Sequence, residues 1–133
     1  MPTIDYQHDG TQHEYEATTY TLMFYEQEFK GDLIKDVYGH ISMDGAAEDF
    51  DEDGNRIGFN YTVDNWTAYP RAFWAMLKTS EAIARAEGRR IIPEPPYKEW
   101  ALKRGIDLSE LSQVVFDECQ RGLFRAGAAD SED

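Results

Sequence analysis

The stretch Thr67-Ala-Tyr-Pro-Arg-Ala-Phe-Trp-Ala-Met-Leu-Lys-Thr-Ser-Glu-Ala-Ile-Ala-Arg-Ala-Glu-Gly88 sets the architecture. Thr67 can cap a helix, and Pro70 falls in the first turn, where a missing amide hydrogen has no intrahelical partner to lose. Phe73, Met76, Leu77 and Ala84 then recur on one face, Trp74 widens that face, and Gly88 marks the stop. A helix of about five turns carrying so many large apolar side chains needs other elements to cover it.

The covering elements can be read outward from it. On the C-terminal side, Ile91-Ile-Pro-Glu-Pro-Pro96 places three prolines in four positions and predicts an extended connector. A short helical segment is expected from Tyr97 to about Arg104. Asp107 stands three residues before Glu110, the spacing of a reciprocal cap, and Leu108, Leu111, Val114, Val115, Cys119 and Leu123 form an apolar stripe behind it.

On the N-terminal side the pattern is more mixed. The segment Glu14–Tyr25, EYEATTYTLMFY, is rich in Thr, Tyr and Phe and predicts a strand. Phe29, Leu33, Ile34 and Val37 follow at helical spacing, predicting a short helix that Gly31 weakens and Gly39 ends. Ile57, Phe59, Tyr61 and Val63 alternate with small or polar residues and predict a strand, fed by a turn at Asp53-Gly54. The periodicity does not say which strand pairs with which.

The expected fold class is therefore α+β, with short N-terminal strands and a mainly helical C-terminal half in a small single domain. Residues 1–13 are expected to be a flexible N-terminus, 14–126 the domain with an acidic loop at 44–53, and 127–133 a flexible tail. With 133 residues, 41% of them hydrophobic, the chain can build an ordinary core without staples.

Charge narrows the function classes. The formal net charge is -13, but residues 1–65 hold 15 acidic and 3 basic side chains, whereas 66–133 hold 11 and 10. Such a balance opposes direct binding of nucleic acid or an anionic membrane surface, both of which require clustered Lys and Arg. The peak is Asp44–Asp53, with six carboxylates in ten positions, a self-repelling segment unsuited to a core. A single cysteine excludes an intramolecular disulfide and fits a reducing compartment. The start of the chain lacks the basic and apolar regions of a secretory signal, and no apolar run is long enough to span a bilayer, so a cytoplasmic protein is expected.

Motifs for chemistry are weak. Asp49-Phe-Asp-Glu-Asp-Gly54 begins like a calcium loop, but Asn60 occupies the twelfth position, where a bidentate glutamate belongs. His8, Asp9, His13 and Glu14 offer metal-binding atoms without a metal-binding spacing, and His40 is expected at the surface. Acidic pairs such as Asp117 and Glu118 arise freely among 26 acids. Cys119 lies on an apolar stripe and reads as a buried small hydrophobe. No catalytic residue, cofactor or metal site is assigned, and a non-enzymatic role is expected.

Trp66, Tyr69, Phe73, Trp74, Tyr97, Trp100, Phe116 and Phe124 are many large side chains for short helices to hide. The simplest reading makes nearly all of them core, with some serving an oligomer or a partner; Phe73, Trp74, Leu77 and Trp100 are the candidate partner contacts. The layout of TYTLMFYEQEFKGDLIKDVYG, NWTAYPRAFWAMLKTSE, PPYKEW and IDLSELSQVVFDECQRGLF, over roughly residues 18–125, resembles a tail assembly chaperone of a long-tailed bacteriophage or prophage. The acidic run at Asp44–Asp53 has no place in that pattern. The resemblance implies binding of a tape measure protein to keep it soluble during tail assembly, recruitment of tail tube subunits, and contact with further copies of this chain. Two other classes fit the residues: an acidic DNA mimic occupying the basic groove of a host protein, and a virion structural or head-tail joining component.

Overall fold

The structure, a computed structural model, describes residues 2–38, the paired segments 41–42, 49–50, 56–58 and 62–63, and residues 66–124. It is mostly helical, with short antiparallel strand pairs, a small α+β arrangement.

The long helix expected from the central stretch is present as α3, Ala68–Ala86. Its buried residues include Tyr69, Phe73, Trp74, Met76 and Leu77 as well as Thr79, Ser80 and Glu81, so it is covered on more than one face. Residues His13–Glu14 and the helices α1 (Thr19–Phe29), α2 (Leu33–Tyr38), α4 (Tyr97–Ala101) and α5 (Leu108–Cys119) all pack against it. Thr67 occupies the cap position with a helical backbone and makes no side-chain capping bond. The stop is as expected: Gly88 adopts φ 71°, the Gly88 N–H donates to Arg85 O and the Arg89 N–H to Ala84 O at 2.8 Å. That pair of bonds closes a Schellman turn, which needs a left-handed residue at this point.

The N-terminus departs from expectation. Strand β1, Thr3–Ile4, pairs antiparallel with β2, His13–Glu14. The Asp5 carboxylate holds the connecting loop by accepting from the Asp9 and Gly10 amides at 3.0 and 2.7 Å. Tyr6 is fully buried. Residues 2–13 are thus tethered to the core at Tyr6 and His13, because an aromatic ring and a histidine among polar residues find partners that local sequence does not reveal.

Residues 14–25 were expected to be a strand. Of these only Glu14 lies in a strand, at the end of β2, and Thr19–Phe29 forms helix α1. The cap decides it: Thr18 Oγ1 accepts from the Tyr20 amide, while the Thr18 amide donates to Thr21 Oγ1 at 3.0 Å. This is a reciprocal cap in which threonine takes the place usually given to Glu or Gln. Thr21, Tyr25 and Phe29 then line the inner face at helical spacing, and Thr21 Oγ1 lies 2.7 Å from Thr79 Oγ1 on α3. Packing against α3 overrides the β preference of the Thr and Tyr residues.

The helix expected around Phe29–Val37 is two elements. Lys30 terminates α1 in the left-handed region, φ 56°, and α2 begins afresh at Leu33 and runs to Tyr38. Gly31 fits between them because a Cβ there would come within 2.8 Å of the Asp36 carboxylate.

Beyond α2, β3 (Ile41–Ser42) pairs with β6 (Thr62–Val63), and β4 (Asp49–Phe50) pairs with β5 (Arg56–Gly58), all antiparallel. The expected strand at 57–63 therefore contributes to two ladders, neither of which involves residues 14–25. Part of the acidic stretch is strand: Asp49 faces Gly58. The Asp53-Gly54 turn, His40, Gly39 and the tail at 127–133 lie outside the described residues.

The C-terminal helices lie where expected, although α4 stops at Ala101, short of Arg104, the Asp107 cap forms only one half of the reciprocal arrangement, and Leu108 is exposed. Helix α4 covers Tyr97–Ala101 and α5 covers Leu108–Cys119, capped by Asp107, whose carboxylate accepts from the Ser109 and Glu110 amides. Helix α5 runs on into a π-helical turn, Gln120–Phe124. Gly122 lies so close to Ala17 that a Cβ there would run into the Ala17 carbonyl oxygen.

Candidate functional site

The four side chains expected to meet a partner are core residues. Phe73, Trp74, Leu77 and Trp100 expose 0, 2, 2 and 0% of their surface. Phe73 packs against Tyr6, Tyr15 and Trp100, and Trp74 against Phe24, Phe29 and Tyr97. The Trp74 indole donates to Pro95 O at 2.9 Å and that of Trp100 to the Tyr6 hydroxyl at 2.9 Å. Their size is what the core uses: the N-terminal segment and α1 cover the face of α3 that the local sequence alone leaves open. Of the other aromatics named above, Tyr69 is buried, Tyr97 and Phe116 are half-buried, and Trp66 and Phe124 are exposed.

Among the described residues, Trp66, Ile92, Leu102, Leu108 and Phe124 are exposed singly, and exposed apolar side chains also border a cleft on α1 and α2. Thr19, Leu22, Met23 and Glu26 of α1, with Asp32 and Leu33, Ile34 and Lys35 of α2, line a groove of about 500 Å³. Met23 is 50% exposed and Tyr20, one residue beyond Thr19, 39%. Leu22 and Ile34 are half-buried on the groove's floor. The groove exists because α1 turns its Thr21–Tyr25–Phe29 face to α3, leaving Leu22 and Met23 beside the inner face. The sharp left-handed break at Lys30 brings α2 back alongside. The signal was in the sequence: Leu22-Met-Phe24 puts three apolar residues in succession, which on a helix cannot all face one side. Reading that segment as a strand concealed it.

A second concentration of chemistry is buried. The Glu94 carboxylate, on the proline connector, receives the Tyr6 hydroxyl at 3.1 Å and lies 2.7 Å from His13 Nδ1 and 3.6 Å from Lys103 Nζ. The Glu94 amide donates to Glu81 Oε1 at 2.9 Å, and Lys78 bridges Glu81 and the Glu94 carbonyl. The Tyr6 oxygen, taking the Trp100 indole and Lys103 while donating to Glu94, uses its full hydrogen-bonding capacity. Burial, then the neighbouring Glu94 charge, pushes the Tyr6 phenol well above its ordinary range. Beside this network, His13, Glu94, Leu77, Arg90 and their neighbours enclose a cavity of about 160 Å³. The network ties β2, the connector and α4 to α3, which is a structural task. His13, one of the four residues weighed as metal ligands, is thereby paired with a carboxylate. Among the described residues no group of three His, Cys, Asp or Glu could hold a metal ion.

The third buried carboxylate, Glu118, accepts from the Ala17 amide at 2.9 Å and from Arg121 Nε at 2.8 Å. Next to it Cys119 is fully buried, as its place on the stripe implied. Burial pushes its thiol up to about 12, and burial likewise lifts Tyr38, beside it, to about 12. Both groups are neutral when folded and would ionise near pH 8.5 and 10 when unfolded. Above those values the unfolded chain binds fewer protons than the folded one, so stability is intact below about pH 8.5 and falls as the pH climbs towards 12. We expect Cys119 to resist a thiol-specific disulfide reagent at pH 8 in the native protein and to react at once in denaturant; denaturation midpoints measured from pH 8 to 11 should decline monotonically.

No protein-family model, curated protein or solved structure matches this chain. None of the described helices is long and apolar enough to cross a membrane.

Proposed function

We propose that this single-domain protein is a non-enzymatic tail assembly chaperone of a long-tailed phage or prophage, acting in the host cytoplasm. It holds an apolar helical stretch of the tape measure protein and keeps that protein soluble until tube subunits and further copies of the chaperone take part in assembly. The observation that carries this reading is the groove between α1 and α2, with its exposed Met23 and its floor of Leu22 and Ile34. Helix-in-groove contact uses such a surface. The high net negative charge suppresses non-specific aggregation of the chaperone and its loaded client. Release requires modest affinity, which a shallow cleft formed by two short helices provides.

Co-expression with the neighbouring genes of the source genome tests it. The protein should bring down a long helical chain, and Met23→Glu should abolish recovery while leaving the far-ultraviolet circular dichroism and melting temperature unchanged, since Met23 packs no core. Capture of a nuclease or defence protein through the carboxylates would replace this reading with DNA mimicry, and a closed ring of the chain alone with a head-tail joining role.

A further inference from the structure

Resting on the groove as the client site, the charge around it specifies the client's chemistry: we infer that it accepts an amphipathic helix whose apolar stripe is flanked by Lys and Arg. The groove wall carries two carboxylates, Glu26 and Asp32, against one ammonium, Lys35. Glu26 and Glu28 are exposed in the last turn of α1, a turn that contains no basic residue. Anions at a helix C-terminus face the negative end of the helix dipole, and a cation supplied from outside relieves both repulsions. Lys30, at the cap, offsets part of this charge within the chain, and Asp32 spends one oxygen on the Lys35 amide at 3.0 Å. Glu26 forms no ion pair with any described residue and stays available. Residues 2–38, which carry the groove, hold eight acids (Asp5, Asp9, Glu14, Glu16, Glu26, Glu28, Asp32, Asp36) and two bases (Lys30, Lys35), a balance that steers cations towards this segment and repels anionic helices. Helix α1 has 11 residues, so the matching client segment is about three turns, with anchors at i, i+3 or i+4, and i+7.

Two synthetic helical peptides sharing one Leu stripe, one flanked by Lys and the other by Glu, separate the possibilities when titrated against the full chain. The Lys-flanked peptide should bind at least about tenfold more tightly at 50 mM salt, with the gap closing by 500 mM as screening sets in. Glu26→Lys should remove most of the preference without altering the fold, and Met23→Gln should weaken both peptides. Equal binding of the two, with Met23→Gln still weakening both, would overturn the charge inference and leave the groove standing. Lys-peptide binding unaffected by Met23→Gln would overturn the groove itself, and so would failure of both peptides to bind.

Discussion

Trp100→Ala is expected to cost about 3–5 kcal/mol of unfolding free energy. Trp100 is fully buried, with the rings of Tyr6, Phe73 and Tyr97 around it and its indole bonded to the Tyr6 hydroxyl. Truncation would remove a large apolar surface, leave a void bounded by three other rings, and take one of two donors from the hydroxyl that links β1 and β2 to Glu94. A domain of this size is stable by roughly 5–15 kcal/mol, so the variant should be close to unfolding at 37 °C. Urea denaturation provides the reading, with Leu102→Ala, at a residue 77% exposed, as the control expected to stay within about 0.5 kcal/mol of the parent. A partner-contact role for Trp100 would have given the opposite pattern, loss of binding at unchanged stability.

Glu94→Ala should have a similar effect by a different route. Three groups converge on that carboxylate, and two of them, His13 and Tyr6, are themselves buried. Removing one member of a buried pair strands the others without water, at about 3–5 kcal/mol. Replacing the pair together, Glu94→Leu with His13→Leu, should recover a substantial part of the loss, since the desolvation of two polar groups disappears along with their attraction. A double-mutant cycle in urea measures the coupling; a value near zero would mean that the connector is held by Trp74 and the Glu94 backbone instead.

How much of this was legible in the sequence depended on how locally each feature is determined. Helix α3 was legible from Pro70, the apolar spacing and Gly88, and α5 from Asp107, because caps and periods act within a few residues. Helix α1 was not: its cap uses a threonine where glutamate is the familiar sign, and its Tyr and Thr residues favour strands until Thr21, Tyr25 and Phe29 meet the rest of the fold. The tethered N-terminus was invisible for a stronger reason. Tyr6 and Glu94 are separated by 88 residues, and nothing near either one announces the other. The candidate site inherited both errors. With residues 2–13 taken as loose and 14–25 as a strand, the aromatic face of α3 looked uncovered and the Leu22–Met23 surface did not exist. Once these segments are placed, the large aromatics become the interior, and a smaller apolar groove on α1 and α2 becomes an open surface.

Hydrogen exchange on this protein, alone and in complex with the client proposed for it, a tape measure chain, tests that relocation most directly. Slower exchange on binding, concentrated in residues 19–35 with α3 and α4 unchanged, is the predicted result. Protection confined to α3 and α4, or to the acidic stretch at 44–53 with none in 19–35, would contradict it.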